Sequence, residues 1–151
     1  NTSGIGMFTK TVNRLTQEDM YRPLLLFSMV KEKDYSTSID MLTADISWEE
    51  MAVTTIPNER GISFEKLEKL FESKLKDHLG GHRSDCFSEH TVEAESKCQS
   101  ETNPPITGYA DYREAFRAMI EKKKPGQKLF CTGSLYFIGA LMEVWKENCD
   151  D

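Results

Sequence analysis

Leu129 to Lys146 reads LFCTGSLYFIGALMEVWK. An apolar run (Leu129, Phe130, Cys131) meets a Thr-Gly-Ser break, and a helical apolar pattern follows at once. That order predicts a buried strand feeding straight into a helix. Gly133 tolerates the unusual dihedrals of so tight a turn. Ser134 is a good N-cap and also offers a hydroxyl. The free amides at the helix start, with the positive end of the helix dipole, suit a carboxylate or a phosphate. This turn is the best candidate ligand site in the chain.

Working outward, the remaining sequence alternates strand and helix. Leu24 to Val30 is a continuous apolar run, as a buried parallel strand requires. Ser36 or Thr37 is placed to cap a short helix carrying Ile39, Met41 and Leu42, with Asp34 as another cap. Met51 to Ile56 is rich in β-branched residues and reads as a second strand. A loop follows over residues 57–61. From Ser63, the residues Phe64, Leu67, Leu70, Phe71, Leu75 and Leu79 share one helical face. Gly80-Gly81 is expected to stop that helix.

Residues 80–104 turn polar and read as a flexible insertion. Ile106 to Tyr109 is a short strand, and Asp111 opens a helix that Pro125-Gly126 ends. Lys128 to Cys131 is the last strand and Ser134 to Lys146 the last helix. At the other end, Ser3 to Leu15 reads as a helix with Ile5, Phe8, Val12 and Leu15 inward. The predicted fold is α/β: a Rossmann-like, mostly parallel sheet with helices on both faces. Ligands in such sheets bind beyond the carboxyl ends of the strands. The turns after Val30, Ile56 and Cys131 all fall on that edge. Lys31, Lys33 and the Thr132–Ser134 turn are therefore expected on one side of the sheet.

The 151 residues suffice for one domain with one core. The formal net charge is −6, and acids and bases are interspersed, which argues against nucleic acid as a partner. The basic run Lys122-Lys123-Lys124 ends a predicted helix, where it complements the dipole. No apolar stretch is long enough to span a bilayer, and no signal peptide is visible. Four cysteines without regular spacing fit a cytoplasmic, reduced protein. Cys131 reads as a small buried hydrophobe. His82, Cys86, His90 and Cys98 match no compact zinc spacing, so no metal site is expected. Ser134 lacks the flanking glycines of a nucleophile elbow and is not expected to be a nucleophile. No Gly-x-Gly-x-x-Gly follows a predicted strand, which disfavours dinucleotide redox chemistry.

Three segments carry a family resemblance. Thr132 to Gly139 (TGSLYFIG) resembles the TGSLY segment near the C-terminus of folylpolyglutamate and dihydrofolate synthases, members of the Mur-ligase-like family of ATP-dependent amide ligases. Arg22 to Tyr35 (RPLLLFSMVKEKDY) resembles that family's PLILVFGMLKDKDY strand and loop. Asn1 is similar to the last residue of its Asp-Gly-Ala-His-Asn motif. The matches fall in family order and cover most of the chain outside residues 80–104.

The resemblance implies the C-terminal domain of a ligase whose N-terminal ATPase domain lies elsewhere. The family's phosphate-binding loop belongs to that other domain, and no Gly-x-x-x-x-Gly-Lys-Ser/Thr pattern occurs here. ATP and Mg²⁺ would serve the full enzyme, which joins L-glutamate to folate or dihydropteroate through an acyl phosphate. In that picture Ser134 and the Leu135 backbone hold a carboxylate of the incoming glutamate. Lys31 pairs with a substrate carboxylate, with Lys33 as the alternative, and Asn1 lies beside the nucleotide. No catalytic side chain is expected here; the work is orientation and electrostatics. Isolated, the chain is expected not to turn over. The competing reading is a stand-alone module that binds a nucleotide or an amino acid.

Overall fold

The computed structural model describes residues 2–89 and 103–149. Helix α1 spans Thr2–Thr16, strand β1 Leu24–Ser28, α2 Tyr35–Asp45 and β2 Glu50–Thr54. Helix α3 follows at Phe64–Glu89, β3 at Ile106–Tyr109 and α4 at Tyr112–Lys122. Strand β4 (Leu129–Gly133) and helix α5 (Leu135–Cys149) complete the order. The four strands form one sheet in the order β3-β2-β1-β4, every pair parallel. The α/β, Rossmann-like expectation is met.

Alternation along β1 explains both layers. Leu25 and Phe27, with Met29 just beyond, face a core shared with α1, α2 and α3. Leu24 and Leu26, with Val30 beyond, face one shared with α4 and α5. Because both faces are covered, the strand carries no polar alternation in the sequence. Trp48 is 2% exposed. Its indole N–H donates to the Leu42 carbonyl (3.0 Å), so its one polar group is satisfied.

The connections decide where the ends meet. The chain steps from β1 to β2 to β3 with α2 and α3 on one face. It then returns across the sheet through α4 on the other face and inserts β4 beside β1. Crossing on one face on the way out and on the opposite face on the return gives the connections one common hand, as the right-handed crossover rule requires. The reversal makes β1 and β4 neighbours whose following connections diverge, and a crevice opens between them.

Several expectations are corrected. Helix α3 does not stop at Gly80-Gly81 but continues to Glu89. Glycine lowers helix propensity by about 1 kcal/mol but does not forbid the conformation, and no proline intervenes. The first ten residues of the expected flexible insertion are thus helical, and residues 90–102 lie outside the described residues. Leu15 is 47% exposed rather than inward. The stripe of α1 runs through Ile5, Phe8, Thr9 and Val12 and passes next to Thr16, whose hydroxyl donates back to the Val12 carbonyl (2.8 Å). Asp34 caps α2 in place of Ser36 or Thr37, its carboxylate accepting the Thr37 N–H (3.2 Å). Strand β4 begins at Leu129 and runs two residues past Cys131, because Thr132 and Gly133 continue the pairing with Phe27 and Ser28.

Candidate binding cleft at the carboxyl edge of the sheet

A cleft of about 830 Å³ opens where β1 and β4 end. Its walls come from the start of α1 (Ile5, Phe8), the loop after β1 (Met29, Val30, Lys33) and the 132–136 turn, with Arg60 at one side. The apolar part is thus built by α1 and the sheet, and the polar part by the loops.

The turn into α5 is held tightly. Gly133 has φ +130°, a conformation open to glycine and costly for other residues. A side chain there would collide with the Ser28 carbonyl of the neighbouring strand. That carbonyl accepts the Ser134 N–H (3.0 Å), which ties the helix start to the end of β1. The Ser134 hydroxyl oxygen accepts the Tyr136 N–H (3.1 Å), and the Ser134 carbonyl accepts the first helical bond, from Ile138 (3.1 Å). Ser134 is therefore a working N-cap, 5% exposed. Its own amide is committed to Ser28. The first-turn amides that geometry leaves without a helical acceptor are those of Leu135 and Phe137. Phe137 is buried in the core, so Leu135 presents the accessible one. The Ser134 hydroxyl, accepting one bond, keeps its proton to donate.

The loop after β1 is positioned by the loop after β2. The Lys31 N–H donates to the Arg60 carbonyl (2.8 Å), the Ile62 N–H to the Met29 carbonyl (3.0 Å), and Val30 forms a bridge with Gly61. Of the two candidate lysines, Lys33 lines the cleft; Lys31 has its backbone tied beside the bridge and its side chain exposed. Asn1 lies outside the described residues, as do the side chains of His82, Cys86, His90 and Cys98.

Arg60 was not singled out in the sequence. Its guanidinium donates to Glu32 (2.7 Å) and to the Tyr136 hydroxyl (2.8 Å). It also stacks over the Tyr136 ring at 5.0 Å. The Glu32 carboxyl is held below its ordinary range, first by a hydrogen bond from its own backbone amide and then by Arg60. The available signal was positional: Arg60 sits in the loop after β2, on the same carboxyl edge as the other candidates. Cys131, on β4, is a free thiol whose burial pushes its pKa up to about 12.

A serine hydroxyl, a helix-start amide, a lysine and an arginine thus converge on one cleft, and among the described residues no carboxylate lines it. This donor set suits an anionic ligand and does not fit a divalent cation, which requires oxygen ligands. The class defined by fold and cleft is a Rossmann-like parallel α/β domain with a crevice, lined by hydrogen-bond donors and two cationic side chains, at the reversal of strand order.

Solved structures share this fold. Mycobacterium tuberculosis folylpolyglutamate synthase, crystallised with ADP and AMPPCP, is similar over 96% of this chain at 16% identity, with a TM-score of 0.60. A second structure of that enzyme, complexed with ADP, is similar over the same share at 14% identity and the same TM-score. In both, the chain spans 28% of the length of the protein it matches. No protein-family model matches the chain, and no curated protein matches it. No helix among the described residues is long and apolar enough to cross a membrane.

Proposed function

We infer that this chain is the glutamate-positioning domain of an ATP-dependent amide ligase that adds L-glutamate to folate. The single observation that carries this is the convergence of the Ser134 hydroxyl, the Leu135 amide, Lys33 and Arg60 on one cleft. The fold shared with folylpolyglutamate synthase supports it.

An amino-acid substrate must have its carboxylate fixed while its amine attacks. The start of α5 offers a hydroxyl proton and a backbone amide for that carboxylate, and Lys33 adds a charge. The donors are pre-set by the sheet, so no reorganisation is needed when the ligand arrives. Glutamate carries a second carboxylate, and Arg60, already ion-paired with Glu32, is a second cation at the same cleft whose remaining N–H groups can be shared with it. ATP, bound by a companion domain, would supply the energy by turning the folate carboxyl into an acyl phosphate. The residues of this cleft do not fit Mg²⁺, and no step here depends on one. This chain's contribution is to bind, orient and exclude water from the amine donor.

The test uses the complete ligase carrying this domain. With ATP, Mg²⁺, L-glutamate and either a reduced folate or dihydropteroate, mass spectrometry should detect the glutamate-added product. Ser134→Ala removes a hydrogen bond to a charged group worth about 1.5–3 kcal/mol, so the glutamate KM should rise roughly ten- to a hundredfold. Lys33→Ala should raise it more than Lys31→Ala; the reverse order would move the role to Lys31. An unchanged glutamate KM in Ser134→Ala would remove the carboxylate assignment.

A further inference from the structure

Arginine is long and rotamer-rich, and on a loop it would ordinarily be free to swing. Arg60 is held at both ends. Its backbone N–H donates to Asn58 Oδ1 (2.8 Å), and its carbonyl accepts the Lys31 N–H (2.8 Å). Its guanidinium donates from Nε to Glu32 Oε1 (2.7 Å) and from Nη1 to the Tyr136 hydroxyl (2.8 Å). One face of the guanidinium lies over the Tyr136 ring, 5.0 Å from its centre. The two partners are 28 and 76 positions away in sequence, one on the loop after β1 and one in the first turn of α5. These bonds engage two of the five guanidinium N–H groups and leave three for a ligand.

The two holders are not placed alike. Tyr136 lines the cleft with Arg60, and Glu32 does not. Glu32 therefore grips the guanidinium without adding a negative charge to the lining. The Arg60 and Glu32 side chains are 45% and 53% exposed, and an ion pair so open to water adds little to stability. Its effect is to order the side chain before a ligand arrives, so that the ordering is not charged against binding. The guanidinium pKa is raised first by the hydrogen bond to Glu32 and then by that to Tyr136, the same two contacts.

We propose that Glu32 and Tyr136 are positioning residues that hold the Arg60 guanidinium in the conformation in which it receives the second carboxylate of the incoming glutamate. The proposal rests on the glutamate reading of the cleft and deepens it. Neither residue is required to touch the reacting atoms; each acts through Arg60.

The experiment measures glutamate KM and kcat in the complete ligase carrying this domain. Tyr136→Phe removes one hydroxyl and keeps the ring, and Glu32→Gln removes the charge and keeps the size. Each should raise the glutamate KM roughly three- to tenfold, the cost of ordering one long side chain, with kcat and the urea midpoint unchanged. In an Arg60→Ala background both substitutions should be silent, because the residue they act through is gone. Unchanged KM in both single variants would overturn the proposal, and so would effects that persist in full without Arg60. A lowered KM in Glu32→Gln would overturn it too, by showing that Glu32 competes with the ligand for Arg60. Unchanged KM in Arg60→Ala would take Arg60 out of the cleft reading, and the proposal with it. A raised KM in Arg60→Ala with unchanged KM in the other two strikes only the positioning.

Discussion

Gly133→Ala is the substitution to which this fold should be most sensitive for the smallest change in atoms. The residue ends β4 at φ +130° and pairs with Ser28. An added Cβ would overlap the Ser28 carbonyl oxygen and lie 2.8 Å from its carbon, so backbone rather than a flexible side chain must move. The dihedral alone costs about 1–3 kcal/mol for a residue with a side chain. Forcing the two strand ends apart adds about 1–3 kcal/mol of overpacking. The Ser134 N–H···O bond to Ser28 (3.0 Å) stretches or breaks. Its loss adds about 1 kcal/mol. The expected total is about 3–7 kcal/mol, against a stability of about 5–15 kcal/mol for a domain of this kind. Urea unfolding followed by circular dichroism measures it, with an unchanged slope expected. A loss under about 1 kcal/mol would refute the reasoning. It would mean that β4 can shift away from Ser28 cheaply, and that the start of α5 is not fixed by the sheet.

Two other outcomes follow from the cleft's surroundings. The Glu32 carboxyl, lowered first by its own backbone amide and then by Arg60, should titrate below the ordinary glutamate range by NMR. Because its folded pKa is depressed, its contribution to stability is complete above the unfolded pKa and fades as pH falls through the folded one. Arg60→Gln should raise the Glu32 midpoint and release the Tyr136 ring; an unmoved midpoint would show that the guanidinium does not hold this carboxylate. The Cys131 thiol, with a pKa pushed to about 12, should resist maleimide at neutral pH in the native state and react once unfolded. Rapid labelling of the native protein would contradict the shielding of the Cys131 thiol on the half-buried edge strand β4.

Periodicity and turn chemistry made much of the fold legible. The run from Leu24 to Val30 could only be buried on both sides, and it is. Asp111 and Ser134 cap the helices that follow them, because capping depends on residues two or three positions away. The carboxyl-edge placement of the Lys31–Lys33 loop and the 132–134 turn followed from the strand–helix alternation, which makes the strands parallel. Other features were not legible because they depend on residues far apart in sequence. The helical course through Gly80-Gly81 defeats a local stop signal that costs only a modest propensity penalty. Leu15 turns outward because the buried stripe of α1 runs through Ile5, Thr9 and Val12, which the helix places on another face.

The sequence by itself determined the alternation of strand and helix, the double-sided burial of β1 and the donors at the start of α5. These rest on interactions between near neighbours, whose geometry the residue types dictate. Only the tertiary structure decided that β4 lies beside β1, that the Ser28 carbonyl occupies the space a side chain at Gly133 would need, and that Lys33 rather than Lys31 faces the cleft. It also brought Arg60 to Tyr136, 76 positions away, and to Glu32. Strand order is a choice among packings that bury the same apolar area, so no local pattern encodes it. Every long-range contact at the site depends on that choice.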